Sequence, residues 1–249
     1  MKLNKHNILS AVFALALPVS VELLISSGVT SVRIISLLVL SYLAITVVYH
    51  NWYLKQSNIT KPWVLVRYTL FLLSWYAVYA MLPGVGFRAM FLLITLPLLF
   101  AIHNLMAATG ERLLVSSVIM TAAMLFLAIC GLSHYFTLPS LVFLLITFAA
   151  ILLLVRTSYE FVPHGVATKW LGAALIALLM TEFFWVLSFL PLHFTATAGI
   201  LFALFYSFWT VYYYYLYNHL TIRRVQFHLL LTGAFVVVIL LSTPWRILT

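Results

Sequence analysis

Residues 170–190 read WLGAALIALLMTEFFWVLSFL, a stretch whose single ionisable side chain is Glu182. An α-helix needs about 20 predominantly apolar residues to cross the hydrocarbon of a bilayer, and this run has that length. Its hydrophobicity is continuous rather than alternating, which favours a helix over a strand of a transmembrane barrel.

The same reading extends outward along the chain. Segments 8–27, 32–50, 63–82, 89–108, 113–132, 138–155, 197–217 and 227–245 have the same character, and with 170–190 they make nine spans. The linkers are too short to fold as soluble domains, so residues 1–249 are expected to form a single transmembrane helical domain. Composition agrees: 65% of the 249 residues are hydrophobic and 7% are charged. A soluble domain carries roughly a quarter charged residues, so no aqueous surface can be built from this set. The fold class predicted is therefore all-α and polytopic.

Turn residues mark the joints. Pro83-Gly84-Val85-Gly86 separates the third span from the fourth, Thr109-Gly110 the fourth from the fifth, Pro139 opens the sixth and Pro191 follows the seventh. Proline cannot donate its backbone nitrogen and clashes with the preceding turn, which suits it to these boundaries. Pro18 and Pro97 fall inside spans and are expected to kink them.

Charge sets the orientation. With the N-terminus in the cytoplasm, that side holds Lys2, Lys5, Lys55, Lys61, Arg67, Arg112, Arg156, Lys169, Arg223 and Arg224, against Arg33, Arg88 and Arg246 outside. This bias supports nine spans, with the N-terminus inside and the C-terminus outside. The lysines at the N-terminus precede an apolar run that continues past Ala14-Leu15-Ala16, so a retained first helix is expected rather than a cleaved signal peptide. Asn58-Ile59-Thr60 matches a glycosylation acceptor, but on this topology it faces the cytoplasm and stays unmodified. Tyr212, Tyr213, Tyr214, Tyr215 and Tyr217 are read as an interfacial aromatic belt. The net charge of +9 is spread between apolar runs rather than gathered into a patch, so the partner is the lipid bilayer and not nucleic acid. A cell (inner) membrane is the expected location.

Function is bounded mainly by what is missing. The four acidic residues are Glu22, Glu111, Glu160 and Glu182, and they are too scattered to hold a divalent cation between clustered carboxylates. The eight histidines show no zinc-ligand spacing such as HxxxH or HExxH, so neither a metal nor another cofactor is expected. Gly131-Leu132-Ser133-His134 reads as a short loop, which is a poor setting for Ser-His chemistry. Cys130 is read as a packing residue.

What remains are polar groups at depth. Glu182 in mid-span costs about 2.5–3.5 kcal/mol on insertion scales, so it needs a partner from outside its helix or a proton. Glu22 lies near the outer end of the first span, with Arg33 across a tight hairpin as one partner. Glu22, Arg33, Arg88, His134, Glu182, His193 and Arg246 all fall in the outer half. The expected site is an outward-facing polar cavity containing Glu182, with Glu22, Arg88, Arg33 and His193 as further contacts for a substrate or ion. Transport or handling of a small or lipid-linked substrate is the leading reading. A non-catalytic subunit bound to other membrane subunits and a membrane enzyme acting on a lipid are the alternatives, and the non-enzymatic readings are preferred because no catalytic motif is present.

Overall fold

A computed structural model describes residues 62–107, 111–136, 139–159 and 165–243, together with Ala16, Val19, Ser20, Glu22, Leu23, Ser41, Ala44 and Val48 as single helical positions. Apart from those positions, the spans expected at 8–27 and 32–50 lie outside the described residues. So do Arg33, Asn58-Ile59-Thr60, Glu160, His164 and Arg246, and the side chains of His103, Glu111 and Arg112.

Among the described residues the chain is helical throughout, with no strand. The helices are α1 (Pro62–Met81), α2 (Gly84–Ala107), α3 (Glu111–Tyr135), α4 (Ser140–Ser158), α5 (Val166–Leu187), α6 (Phe194–Leu216) and α7 (Ile222–Ser242). By length and composition five of them, α3 to α7, can cross a bilayer, which makes the chain a multi-pass membrane protein.

Several boundaries differ from the sequence reading, each for a local reason. α2 begins at Gly84 rather than 89, because Gly84 adopts a φ of +74° and reverses the chain directly after Pro83. α3 continues through Gly131-Leu132-Ser133-His134, which is therefore helix and not loop; the Phe136 amide still donates to the Leu132 carbonyl at 2.9 Å. α5 stops at Leu187 because Ser188-Phe189-Leu190 form a turn ahead of Pro191. α7 starts early because the Thr221 hydroxyl accepts from the Arg224 amide at 3.4 Å and caps it. Pro97 stays inside α2, as expected.

α3 and α6 form the centre. Buried side chains of α3 to α6 make one core, including Phe126, Ile151, Ala177, Leu201 and Phe205. α1 packs on α3 and α4, and α2 lies against α1 and α3. α7 packs chiefly on α6, and only 11% of its span is buried against 61% for α3, so α7 is the peripheral helix.

Lipid offers no hydrogen bonds, so hydroxyls turn back on their own helices. Thr69, Ser74, Thr95, Thr121, Thr147 and Thr181 each donate to the carbonyl four residues earlier. Other polar groups reach across between helices. Trp209 Nε1 donates to Ser158 Oγ at 2.8 Å, tying α6 to α4, and the Tyr212 hydroxyl donates to the Thr168 carbonyl at 3.0 Å, tying α6 to α5. Ser207 donates to the His228 carbonyl at 3.2 Å and pairs with the Thr232 hydroxyl, tying α6 to α7. Interhelical hydrogen bonds in membranes average about 0.6 kcal/mol and reach about 1.7 kcal/mol. Thr232→Val is expected to lower stability by an amount in that range; an unchanged thermal midpoint in detergent would show that the pair does not fasten α7.

Alternating helix direction sorts the charges. Arg67, Arg156, Lys169, Arg223 and Arg224 stand at one end of the bundle, here the arginine end. There the Arg156 guanidinium lies 4.5 Å from the Trp63 ring centroid and 5.3 Å from that of Trp170, and the two indoles meet edge to face. Arg88 lies at the opposite end.

Candidate functional site

The end opposite the arginines carries a cavity of about 410 Å³ between the tips of α3, α4, α5 and α6. That volume lies within the range of small-molecule pockets. Each wall follows from a chain break. Pro139 starts α4 and leaves Ser140 and Phe143 facing the end of α3. The Ser188–Leu190 turn and Pro191 carry the chain over the opening before α6 begins.

The buried lining is Phe143, Phe184 and Cys130 with the hydroxyl-bearing Thr197. The exposed lining mixes the polar Ser133, His134, Ser140 and Ser188 with Trp185, Phe189 and Leu190. Two hydroxyls are already committed as donors, Ser133 to the Cys130 carbonyl at 2.9 Å and Ser188 to the Trp185 carbonyl at 2.6 Å. A hydroxyl has one proton, so toward a ligand these two can only accept.

Donors come from the imidazoles. His134 lines the cavity, and its ring centroid lies 6.0 Å from that of His193. His193 caps α6: its Nδ1 accepts from the Thr195 amide at 3.4 Å and lies 2.8 Å from the Thr195 hydroxyl. An Nδ1 that accepts a backbone N–H leaves the neutral ring's proton on Nε2. His193 thus presents an N–H donor beside His134. Among the described residues no three His, Cys, Asp or Glu gather, so the pair has no third metal ligand from that part of the chain.

A second polar group stands at the same end, on α1 and α2. Arg88 Nε lies 3.4 Å from Glu22 Oε2, an ion pair without hydrogen-bond alignment. The Tyr79 hydroxyl donates to the same carboxylate oxygen. The Tyr79 ring stacks on Trp75 at 5.3 Å, and Trp75 Nε1 donates to Thr95 Oγ1 at 2.9 Å. The turn at Pro83-Gly84 brings the end of α1 beside the start of α2, and this places Tyr79 next to Arg88. The Met81 thioether packs over Gly131, where a Cβ would come within 2.7 Å of it, and so connects α1 to the cavity helices.

The residues singled out by sequence therefore separate. Glu22 and Arg88 meet each other. His193 stands at the cavity opening beside His134. Glu182 joins neither group: it is exposed on α5, as are Leu178, Leu179, Trp185 and Val186 around it, and it does not line the cavity. It also stands five residues before the end of α5, about 7.5 Å, rather than at mid-span. Arg33 lies outside the described residues. Sequence reasoning missed Tyr79 and the Trp75–Thr95 bond. The sharp Pro83-Gly84 turn was the available signal for Tyr79; nothing in the pattern pointed to Thr95.

In comparisons with known proteins, the chain matches no family model, no curated protein and no solved structure.

Proposed function

We propose that the protein transports or handles a small or lipid-linked amphiphile through the cavity at the tips of α3 to α6. The carrying observation is the cavity's mixed lining: the buried rings of Phe143 and Phe184 together with the polar Ser133, His134 and Ser188, and His193 alongside. Such a site suits a ligand with an apolar tail and a polar or anionic head. The chain is read with nine spans, its N-terminus cytoplasmic and its C-terminus outside, in the cell (inner) membrane. The gathering of Arg67, Arg156, Lys169, Arg223 and Arg224 at one end supports that orientation, on which the cavity opens to the outside. Glu182 has no role in this reading.

Native mass spectrometry of the protein released from lipid nanodiscs tests it. One retained amphiphile per chain is expected, with occupancy falling about tenfold in His134→Ala, the equivalent of about 1.4 kcal/mol. A wild-type protein that emerges without a ligand, or a variant with unchanged occupancy, sinks the proposal.

The alternative, a non-catalytic subunit of a membrane assembly, is favoured by one observation: Glu182 is turned out of the bundle.

A further inference from the structure

The polar side chains of the cavity differ in what they offer a ligand. Ser133 and Ser188 spend their hydroxyl protons on the carbonyls of Cys130 and Trp185. The Thr197 hydroxyl does the same, donating to the His193 carbonyl at 3.4 Å. These three lining oxygens are therefore acceptors alone. Ser140 and a neutral His134 each keep one donor and accept as well. No Lys, Arg, Asp or Glu stands among the described lining residues. Arg88 and Glu22, at the same end of the bundle, pair with each other and stay outside that lining.

This inventory discriminates between head groups. A phosphate or carboxylate only accepts, so it would set its oxygens against those of Ser133, Thr197 and Ser188. A quaternary ammonium has no proton to donate. Either charge would also lose water without meeting a described counter-ion, and an unpaired charge is costly to desolvate. A hydroxyl has both capacities: it donates to the three acceptor oxygens and accepts from Ser140 and His134. The rings narrow the choice further. Trp185 and Phe189 line the cavity, are exposed, and meet edge to face at 5.6 Å. An aromatic face is electron-rich. The C–H bonds on one side of a sugar ring, polarised by their oxygens, pack against such a face; an open-chain alcohol presents no matching flat side.

We propose that the amphiphile held in the cavity is a glycolipid with an uncharged sugar head, its hydroxyls bonded to Ser133, His134 and Ser188 and its ring face packed on Trp185. The inference rests on the cavity being the ligand site, and it narrows a polar or anionic head to a neutral one. A few placed polar groups among rings and aliphatic side chains are what orient a ligand in such a pocket. Here those groups are mostly acceptors, so the ligand must bring the donors.

The test uses the full chain in lipid nanodiscs near neutral pH, with lipid retention read by native mass spectrometry. The probes are monoglucosyl diacylglycerol, diacylglycerol, phosphatidic acid and phosphatidylcholine, all with the same acyl chains and at equal mole fraction. The glucosyl lipid is expected to be retained roughly tenfold more than each of the others. Ser133→Ala and Ser188→Ala are each expected to lower its retention by about fivefold, the scale of one hydrogen bond. Phosphatidic acid or phosphatidylcholine retained as well as the glucosyl lipid overturns the proposal. So does equal retention of diacylglycerol, which lacks the ring, and so do serine variants that retain the glucosyl lipid like wild type. If His134→Ala still releases whichever lipid is retained, the cavity reading stands and only the sugar assignment has failed; if no lipid is retained, both have failed.

Discussion

Arg88→Leu is expected to cost about 3 kcal/mol of stability, the lower end of what breaking a buried ion pair costs. Arg88 and Glu22 are 15% and 28% exposed, so the pair is mostly shielded without being fully buried. Removing the guanidinium leaves the Glu22 carboxylate with the Tyr79 hydroxyl as its remaining described partner, beside the stacked rings of Tyr79 and Trp75. The charge is then uncompensated, and this outweighs any gain from the added leucine. Glu22→Gln in the Arg88→Leu background is expected to recover most of the loss, since an amide still accepts from Tyr79 and carries no charge. Arg88→Lys is expected to be intermediate, because an ammonium lacks the planar fork of a guanidinium. Thermal unfolding in detergent measures all three. An Arg88→Leu midpoint equal to wild type would mean that the Arg88–Glu22 pair contributes nothing to stability.

Gly172→Ala is expected to cost about 1–3 kcal/mol, the range for an overpacked interior. Gly172 is buried on α5, and a Cβ there would run into the Tyr212 ring from α6. Tyr212 has little room to withdraw. Its hydroxyl donates to the Thr168 carbonyl, one turn from Gly172, and its ring packs at 5.4 Å against Tyr159, which is completely buried. The added methyl must therefore separate α5 from α6 or break that hydrogen bond. Tyr212→Leu in the Gly172→Ala background shortens the side chain that collides. The double variant is expected to be less destabilised than the sum of the single changes, by about 0.5–3 kcal/mol of coupling. Strict additivity would show that the two residues do not meet.

The Tyr212 contact alters the reading of the tyrosine cluster. Five tyrosines near one helix end suggest a headgroup belt, and Tyr215, which is exposed, suits one. Tyr212 and Tyr213 instead belong to helix packing, one in the Gly172 notch and the other buried in the core. An aromatic side chain at that level can point to lipid or to a neighbouring helix, and composition is the same in both cases.

Chain order and hydropathy were enough to place α1 to α7 along the sequence, because a bilayer forces each crossing backbone to satisfy itself over a fixed length of apolar residues. Pro83, Pro139 and Pro191 marked breaks for steric reasons that act locally. The helix ends were less legible: α2 starts five residues early and α3 runs through His134, since a positive φ at Gly84 and continued backbone bonding leave no trace in apolarity.

Sequence also determined that Arg88, His134 and His193 share one end of the bundle and that Arg67 and Arg156 stand apart from them. Tertiary structure alone decided direction around the helix axis. α5 is apolar on all sides, so no stripe in its pattern says which face is covered. Packing of α4 and α6 on that helix turned Glu182 outward, while packing at the ends of α1 and α2 turned Arg88 toward Glu22. In water a one-sided apolar face would have recorded that choice in the sequence; in lipid, where both faces are apolar, contact between helices makes it.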